Sequence, residues 1–160
     1  MKKIRIGYGY DVHRLSEGES LWLGGIKIEH TKGTVAHSDG DVLIHAICDS
    51  LLGALALGDI GKHFPDTSSN FKDIDSKILL SRCVDLIESK GYKIGNLDTM
   101  LILEKPKIMK HIDVMRNTLA PLMHISIDDI SIKATTKEGL SFVGREEGVE
   151  AHSTVLVYKD

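Results

Sequence analysis

Asp39-Gly40-Asp41-Val42-Leu43-Ile44-His45-Ala46-Ile47-Cys48-Asp49-Ser50-Leu51-Leu52-Gly53-Ala54-Leu55-Ala56-Leu57 is the stretch on which the fold turns. Its apolar residues lie all round a helical axis, as in a helix buried on most sides, and Ser38 stands where an N-cap belongs. A helix from about Asp39 to Leu57 is therefore expected at the centre of the molecule. Before it, Lys3 to Tyr10 reads as a strand, and Leu21-Trp22-Leu23-Gly24-Gly25-Ile26-Lys27-Ile28 as a hairpin turning at its two glycines. After it comes a loop with Gly58, Gly61 and Pro65. Next, the stripe Ile78, Leu79, Cys83, Leu86 and Ile87 marks a second helix from Asp75 to Lys90, ended by Gly91. Leu97 to Leu103 reads as a strand. Pro106 opens a third helix through Ile108, Ile112, Met115 and Leu119, and Ile130, Ile132 and Ala134 alternate as a strand. Val149 to Tyr158 completes the sheet. This order of elements predicts an α+β fold: a ferredoxin-like sandwich of a mixed β-sheet with helices packed on one face.

With 160 residues, 42% of them hydrophobic, the chain can bury one adequate core, and one domain over residues 1–160 is expected. The formal charge of -3 comes from interspersed acids and bases. It lacks the basic footprint that neutralises nucleic-acid phosphates, so no nucleic-acid partner is expected. Cys48 and Cys83 each lie inside an apolar, helix-like stretch, which points to buried free thiols in a reducing compartment, the cytoplasm. The opening residues enter a strand pattern at once, so no signal peptide is expected. The most apolar window, Val42 to Leu57, is broken by His45 and Asp49 and falls short of the ~20 residues that span a bilayer. No membrane segment is expected.

Residues two apart in a strand project from one face, so Asp11 and His13 can converge on one ion from a stiff support. His45 can complete the set from the buried helix. Two imidazoles and a carboxylate hold a tetrahedral zinc by three positions and leave the fourth open to a reactant. Asp-x-His alone is a common tripeptide. The weight rests on His45, an ionisable ring in a helix otherwise nearly all Val, Leu, Ile and Ala, because a buried polar group needs a partner. A core histidine satisfied by Asp41 or Asp49, each one turn away, is the competing account. His37-Ser38-Asp39-Gly40-Asp41 sets polar groups at a helix N-terminus, where an anion such as phosphate is favoured; a plain capping sequence is the other reading. Thr135-Thr136-Lys137-Glu138-Gly139 is likewise either a polar turn or a hydroxyl-rich phosphate grip.

Taken in order, Gly7-Tyr8-Gly9-Tyr10-Asp11-Val12-His13, Ala36-His37-Ser38-Asp39-Gly40-Asp41 with His45, and Leu57-Gly58-Asp59-Ile60-Gly61-Lys62-His63-Phe64-Pro65-Asp66-Thr67 resemble the 2-C-methyl-D-erythritol 2,4-cyclodiphosphate synthases. Pro106-Lys107, Lys133-Ala134-Thr135-Thr136 with Glu138, and Phe142-Val143-Gly144-Arg145 with Glu147-Gly148 continue the resemblance through the chain. It implies a single catalytic domain in non-mevalonate isoprenoid biosynthesis. That domain converts 4-diphosphocytidyl-2-C-methyl-D-erythritol 2-phosphate to the 2,4-cyclodiphosphate and releases CMP. It also implies a homotrimer with active sites between adjacent subunits and no fused cytidylyltransferase domain.

The resemblance makes Asp11, His13 and His45 the zinc ligands, and His37 and Thr136 the transition-state stabilisers, with Ser38 beside the phosphates. Asp59, Gly61, Phe64 and Asp66 line the methylerythritol pocket, and Val12, Ile60, Pro65, Thr67 and Ser68 are further substrate contacts. Leu103, Glu104, Lys105, Pro106, Lys107, Ile108 and Met109 hold the cytidine. Thr135, Lys137, Glu138, Phe142 and Arg145 face the diphosphate, with Glu138 near a second divalent ion, magnesium or manganese. Lys137, Glu146 and Glu150 depart from the family's pattern. Extra carboxylates near the trimer axis argue against an apolar central cavity that takes isoprenoid diphosphates. Two other readings stand beside this one. Two His and one carboxylate also form the facial triad of non-haem iron oxygenases, which are built on all-β scaffolds. An inactive metal- or nucleotide-binding trimer is the non-enzymatic alternative.

Overall fold

The computed structural model describes residues 3–65 and 74–160. A five-stranded mixed sheet carries the fold, in the order β4 (Lys32–Val35), β1 (Lys3–Glu17), β7 (Gly148–Lys159), β5 (Lys93–Ile102), β6 (Ile130–Thr135). β5 and β6 run parallel and every other neighbouring pair is antiparallel. The expected glycine hairpin forms beside it as β2 (Leu21–Leu23) and β3 (Ile26–Ile28), with Gly24 and Gly25 at positive φ. The helices are α1 (Val42–Ala54), α2 (Ile60–His63), α3 (Ser76–Ser89), α4 (Ile112–Met123) and α5 (Ser141–Gly144). The α+β fold with a mixed sheet is as expected, and α1 packs on β1 and β7 and, on its far side, against α3.

Nearly every side chain of α1 is buried, which is what its all-round apolar surface demands. Its closeness to β1 depends on two missing side chains. A Cβ on Gly7 would lie 1.8 Å from the Ser50 carbonyl oxygen, and one on Gly9 would lie 1.9 Å from that of Ala46. Helix backbone thus rests on strand backbone, and the two run in opposite directions. Two strand residues advance about 6.8 Å, close to the roughly 6 Å of four helical residues. Counting on from the pairs Gly7–Ser50 and Gly9–Ala46, Asp11 falls opposite the first turn of α1. The glycine spacing therefore brings Asp11 and His45 together.

The cap of α1 is Asp41, not Ser38, and the helix spans 42 to 54 instead of 39 to 57. Gly40 at φ +71° cannot be helical, and the Asp41 carboxylate accepts from the N–H groups of Ile44, Gly24 and Gly25, fixing the hairpin to the helix start. The third helix also begins later than Pro106. Ile108 is first buried from a loop, one 3-10 turn follows at 109–111, and α4 starts at Ile112. β1 runs on past Tyr10 to Glu17 and β5 begins at Lys93, four residues before the expected start. β4, α2 and α5 are additional short elements. Helix α3, capped by Asp75 with Gly91 left-handed after it, matches its expected span closely. Cys48 and Cys83 are buried and free, as expected. Among the described residues, no helix is long and apolar enough to cross a membrane.

Candidate active site

Strand alternation places Gly7, Gly9, Asp11 and His13 on the face of β1 that meets α1, while Ile4, Ile6, Tyr8, Tyr10 and Val12 point the other way and are exposed. On the helix side, Asp11, His13 and His45 each offer a ligand atom, and the three atoms lie within 4.8 Å of one another. Asp11 Oδ2 stands 3.1 Å from His45 Nδ1 and 3.0 Å from His13 Nδ1. The His13 contact is close without being an aligned hydrogen bond: that nitrogen is buried and has no hydrogen-bond partner. A buried, unsatisfied imidazole nitrogen beside a carboxylate and a second imidazole is a donor set that a cation completes, so the residues fit a divalent metal.

The competing account of His45 is overturned. Neither Asp41 nor Asp49 partners it: Asp41 is taken up by Gly24, Gly25 and Ile44, and Asp49 accepts from the Ile60 N–H. His45 instead meets Asp11 through Nδ1, and through Nε2 it meets Ser76 Oγ at 2.9 Å and Ser38 Oγ at 3.3 Å. Burial of Asp11 by itself raises its pKa, but the contacts to His13 and His45 outweigh it and hold the carboxyl at about 2. Burial of His45 by itself lowers its pKa, and Asp11 again prevails, so the imidazole is raised from its ordinary value. Ser76 was not among the residues singled out from sequence. It follows the cap Asp75, and nothing local distinguishes it from an ordinary first-turn serine.

His13, His37, Ser38, His45 and Ile60 border one cavity of about 210 Å³. Asp59 caps α2 by accepting from the Lys62 N–H, and Gly61, Phe64 and Pro65 follow it at the same end of the molecule. Asp66, Thr67 and Ser68 lie outside the described residues. A second cleft, of about 240 Å³, is formed by Leu103, Glu104, Pro106 to Met109, and Ala134 to Thr136. The two expected loops thus meet. The Leu103 N–H donates to the Thr135 carbonyl, and the Lys137 N–H to Glu104 Oε2. Thr136 Oγ1 donates to Glu138 Oε1 at 2.9 Å in a turn where Glu138 is left-handed. Lys105 points instead to Glu146, at 2.9 Å. Phe142 borders a third pocket with Val12 and His13, and Arg145 forms an exposed fork with Glu147.

The two clefts do not converge within one chain. β1 and β6 are separated by β7 and β5, so three strand spacings, roughly 14 Å, lie between the strand that carries Asp11 and His13 and the strand that carries Thr135. The departures at 137 and 150 account for each other: Lys137 Nζ stands 3.2 Å from Glu150 Oε2, and the Tyr10 hydroxyl donates to Oε1 at 3.1 Å.

The model of the YgbB family matches residues 4–158. The chain is 58% identical to the 2-C-methyl-D-erythritol 2,4-cyclodiphosphate synthase of Bacteroides thetaiotaomicron over 158 residues, covering 99% of each. It is 54% identical to that of Pseudomonas fluorescens over 156 residues, covering 98% of this chain and 99% of the other. Among solved structures it is similar to a 2C-methyl-D-erythritol-2,4-cyclodiphosphate synthase in its CDP-bound form, with TM-score 0.89 and 40% identity, covering 96% of this chain and 99% of that one. It is also similar to the CDP complex of Plasmodium falciparum IspF, with TM-score 0.86 and 37% identity, covering 98% and 97%. By model, sequence and fold alike, the chain belongs to the YgbB family, alongside the 2-C-methyl-D-erythritol 2,4-cyclodiphosphate synthases with which it aligns over nearly its whole length.

Proposed function

We propose that the chain, as a single catalytic domain, converts 4-diphosphocytidyl-2-C-methyl-D-erythritol 2-phosphate to 2-C-methyl-D-erythritol 2,4-cyclodiphosphate and CMP, in the cytoplasm, as a step of non-mevalonate isoprenoid biosynthesis. The convergence of Asp11, His13 and His45, with the two histidines bordering one cavity, in a chain so close to these synthases, carries the reading. The nucleophile is the substrate's own 2-phosphate oxygen, already ionised near neutral pH. It forms a bond to the β-phosphorus as the anhydride bond to the α-phosphate breaks, and the electron pair leaves on CMP. No protein nucleophile is needed, so the chain's work is alignment and charge neutralisation. Asp11, His13 and His45 would hold a zinc ion and Glu138 a second divalent ion, Mg2+ or Mn2+, and the two would supply that neutralisation.

The chain's own groups divide the remaining tasks. His37 and Thr136 donate to the phosphoryl oxygens that gain charge in the transition state, and Ser38 holds the phosphate beside them. Asp59, Gly61, Phe64 and Asp66 line the methylerythritol pocket, where the carboxylates accept from its hydroxyls. The cleft from Leu103 to Met109 takes the cytidine, and Thr135, Lys137, Phe142 and Arg145 flank the diphosphate.

One substrate must touch both clefts, and about 14 Å of sheet separates their strands in one chain. A homotrimer, with each active site shared by adjacent subunits, resolves this. The exposed apolar row Ile4, Ile6, Tyr8 and Val12 on β1 supports such an assembly. Metal content and CMP release from the cytidine diphosphate substrate test the proposal together. Near one zinc per chain is expected, with turnover abolished by chelator and by Asp11→Ala. Turnover that survives in a zinc-free Asp11→Ala protein sinks it.

A further inference from the structure

We propose that Asp39 and Ser76 are positioning residues: together they fix the tautomer and ring orientation of His45, so that Nδ1 presents a bare lone pair to a divalent ion. The proposal rests on the reading of Asp11, His13 and His45 as a metal site. It concerns the opposite edge of the His45 ring.

The argument is one of proton counting. Asp39 accepts at both oxygens: Oδ1 from the Asp41 N–H at 3.1 Å and from the Ser76 hydroxyl, and Oδ2 from the Ser76 N–H at 2.8 Å. An ionised carboxylate only accepts, so the single hydroxyl proton of Ser76 is committed to Asp39. What Ser76 Oγ turns toward His45 Nε2, 2.9 Å away, is therefore a lone pair. Nε2 must carry the proton. In the neutral ring the lone pair then sits on Nδ1, the atom that faces Asp11 and the buried Nδ1 of His13.

Burial makes this arrangement stringent. Ser76 is fully buried and His45 nearly so, so water does not substitute readily for a wrong donor or acceptor. The parts are also held from separate elements. Ser76 is the first residue of α3, capped by Asp75; Asp39 precedes α1, and its own N–H donates to the Ile74 carbonyl at 3.2 Å. His45 projects from α1 between them. Ser38 Oγ, at 3.3 Å from Nε2, is a weaker second contact whose hydroxyl can serve either as donor or as acceptor. It cannot impose one tautomer as Ser76 does. Hydrogen-bonded partners of this kind on metal-bound histidines are commonly worth about 10–100-fold in metal affinity.

Ser76→Ala separates this role from a merely structural one, because the backbone N–H of residue 76 can still donate to Asp39 and hold α3 in place. Zinc affinity is measured by competition with a chromophoric chelator, on the full-length protein and beside Asp11→Ala and His45→Ala. The expectation for Ser76→Ala is about 10–100-fold weaker zinc binding in a chelated protein that still unfolds cooperatively, at a somewhat lower melting temperature. An independent readout on the zinc-loaded wild type is the 15N shift pattern of His45: protonated Nε2 and metal-bound Nδ1 are expected. Zinc affinity of Ser76→Ala equal to wild type, or zinc on Nε2, overturns the proposal. If Ser76→Ala does not fold, the 15N assignment on the wild type decides alone. Loss of zinc with His45→Ala but not with Ser76→Ala refutes the relay and leaves the metal site standing. Zinc binding unaffected by both Asp11→Ala and His45→Ala refutes the metal reading, and the relay with it.

Discussion

In the proposed metal site, protons and the ion would compete for the contact that Asp11 and His45 share. The Asp11 pKa in the folded chain, about 2, lies below its value in the unfolded chain. Its contribution to stability is therefore complete above about pH 4 and is lost as pH falls toward 2. The His45 pKa is raised on folding, so its contribution is complete below about pH 6.5 and is lost as pH rises through the folded value. With chelator present, the pair stabilises most between roughly pH 4 and 6.5. Zinc reverses the alkaline limb, because a ligating Nδ1 must give up its proton and affinity then grows with pH. Urea midpoints taken across this range, with chelator and with excess zinc, should diverge above about pH 6.5; parallel curves would show that His45 does not bind the ion. His45 itself was legible from sequence, as a polar ring in an apolar helix. Its partners were not, because reasoning along one helix offers Asp41 and Asp49, whereas Asp11 and Ser76 arrive from β1 and α3.

At the scale of elements, the site depends on how closely α1 lies on β1. Gly9→Ala puts a methyl group where the Ala46 carbonyl already sits, 1.9 Å from the ideal Cβ. Backbone must move, since no flexible side chain is there to give way. Overpacking of this kind costs about 1–3 kcal/mol. Here the shift also opens the Asp11–His45 contact one step further along the same strand and helix. Gly9→Ala is therefore expected to lose about 3 kcal/mol of stability in urea and to bind zinc at least about 10-fold more weakly. Wild-type values for both would mean that the glycines do not set the approach. The long elements were legible in sequence where one apolar period runs through them, as in α3. The continuation of β1 past Tyr10 was not: apolar alternation stops at Asp11 and Arg14, and backbone pairing to β7 and β4 carries the strand on. The late start of α4 escaped for a similar reason, since the burial of Ile108 in the core decides it and Pro106 does not.

For the molecule as a whole, the decisive feature is the face of the sheet that the helices leave uncovered. Ile4, Ile6, Tyr8 and Val12 form an exposed row along β1, and on the same face two polar links cross to β7: Tyr8 to His152 at 2.8 Å and Tyr10 to Glu150 at 3.1 Å. Glu150 is buried and neutralised by Lys137, which weakens the expectation that it acts as a free repulsive charge on this face. An apolar row of this length suits the proposed subunit contact, and the distance between the proposed metal site and the proposed cytidine cleft would give that contact a function. Ile6→Glu places a charge in the middle of the row while touching neither cleft. It is expected to yield a monomer by sedimentation and to lower CMP release about 100-fold, because the two halves of each site are no longer held together. Zinc should remain near one per chain, since all three ligands come from one subunit. This combination separates assembly from metal loading: a monomer with full turnover would refute the shared site, whereas a monomer that also loses zinc would mean that assembly holds the metal cluster in shape.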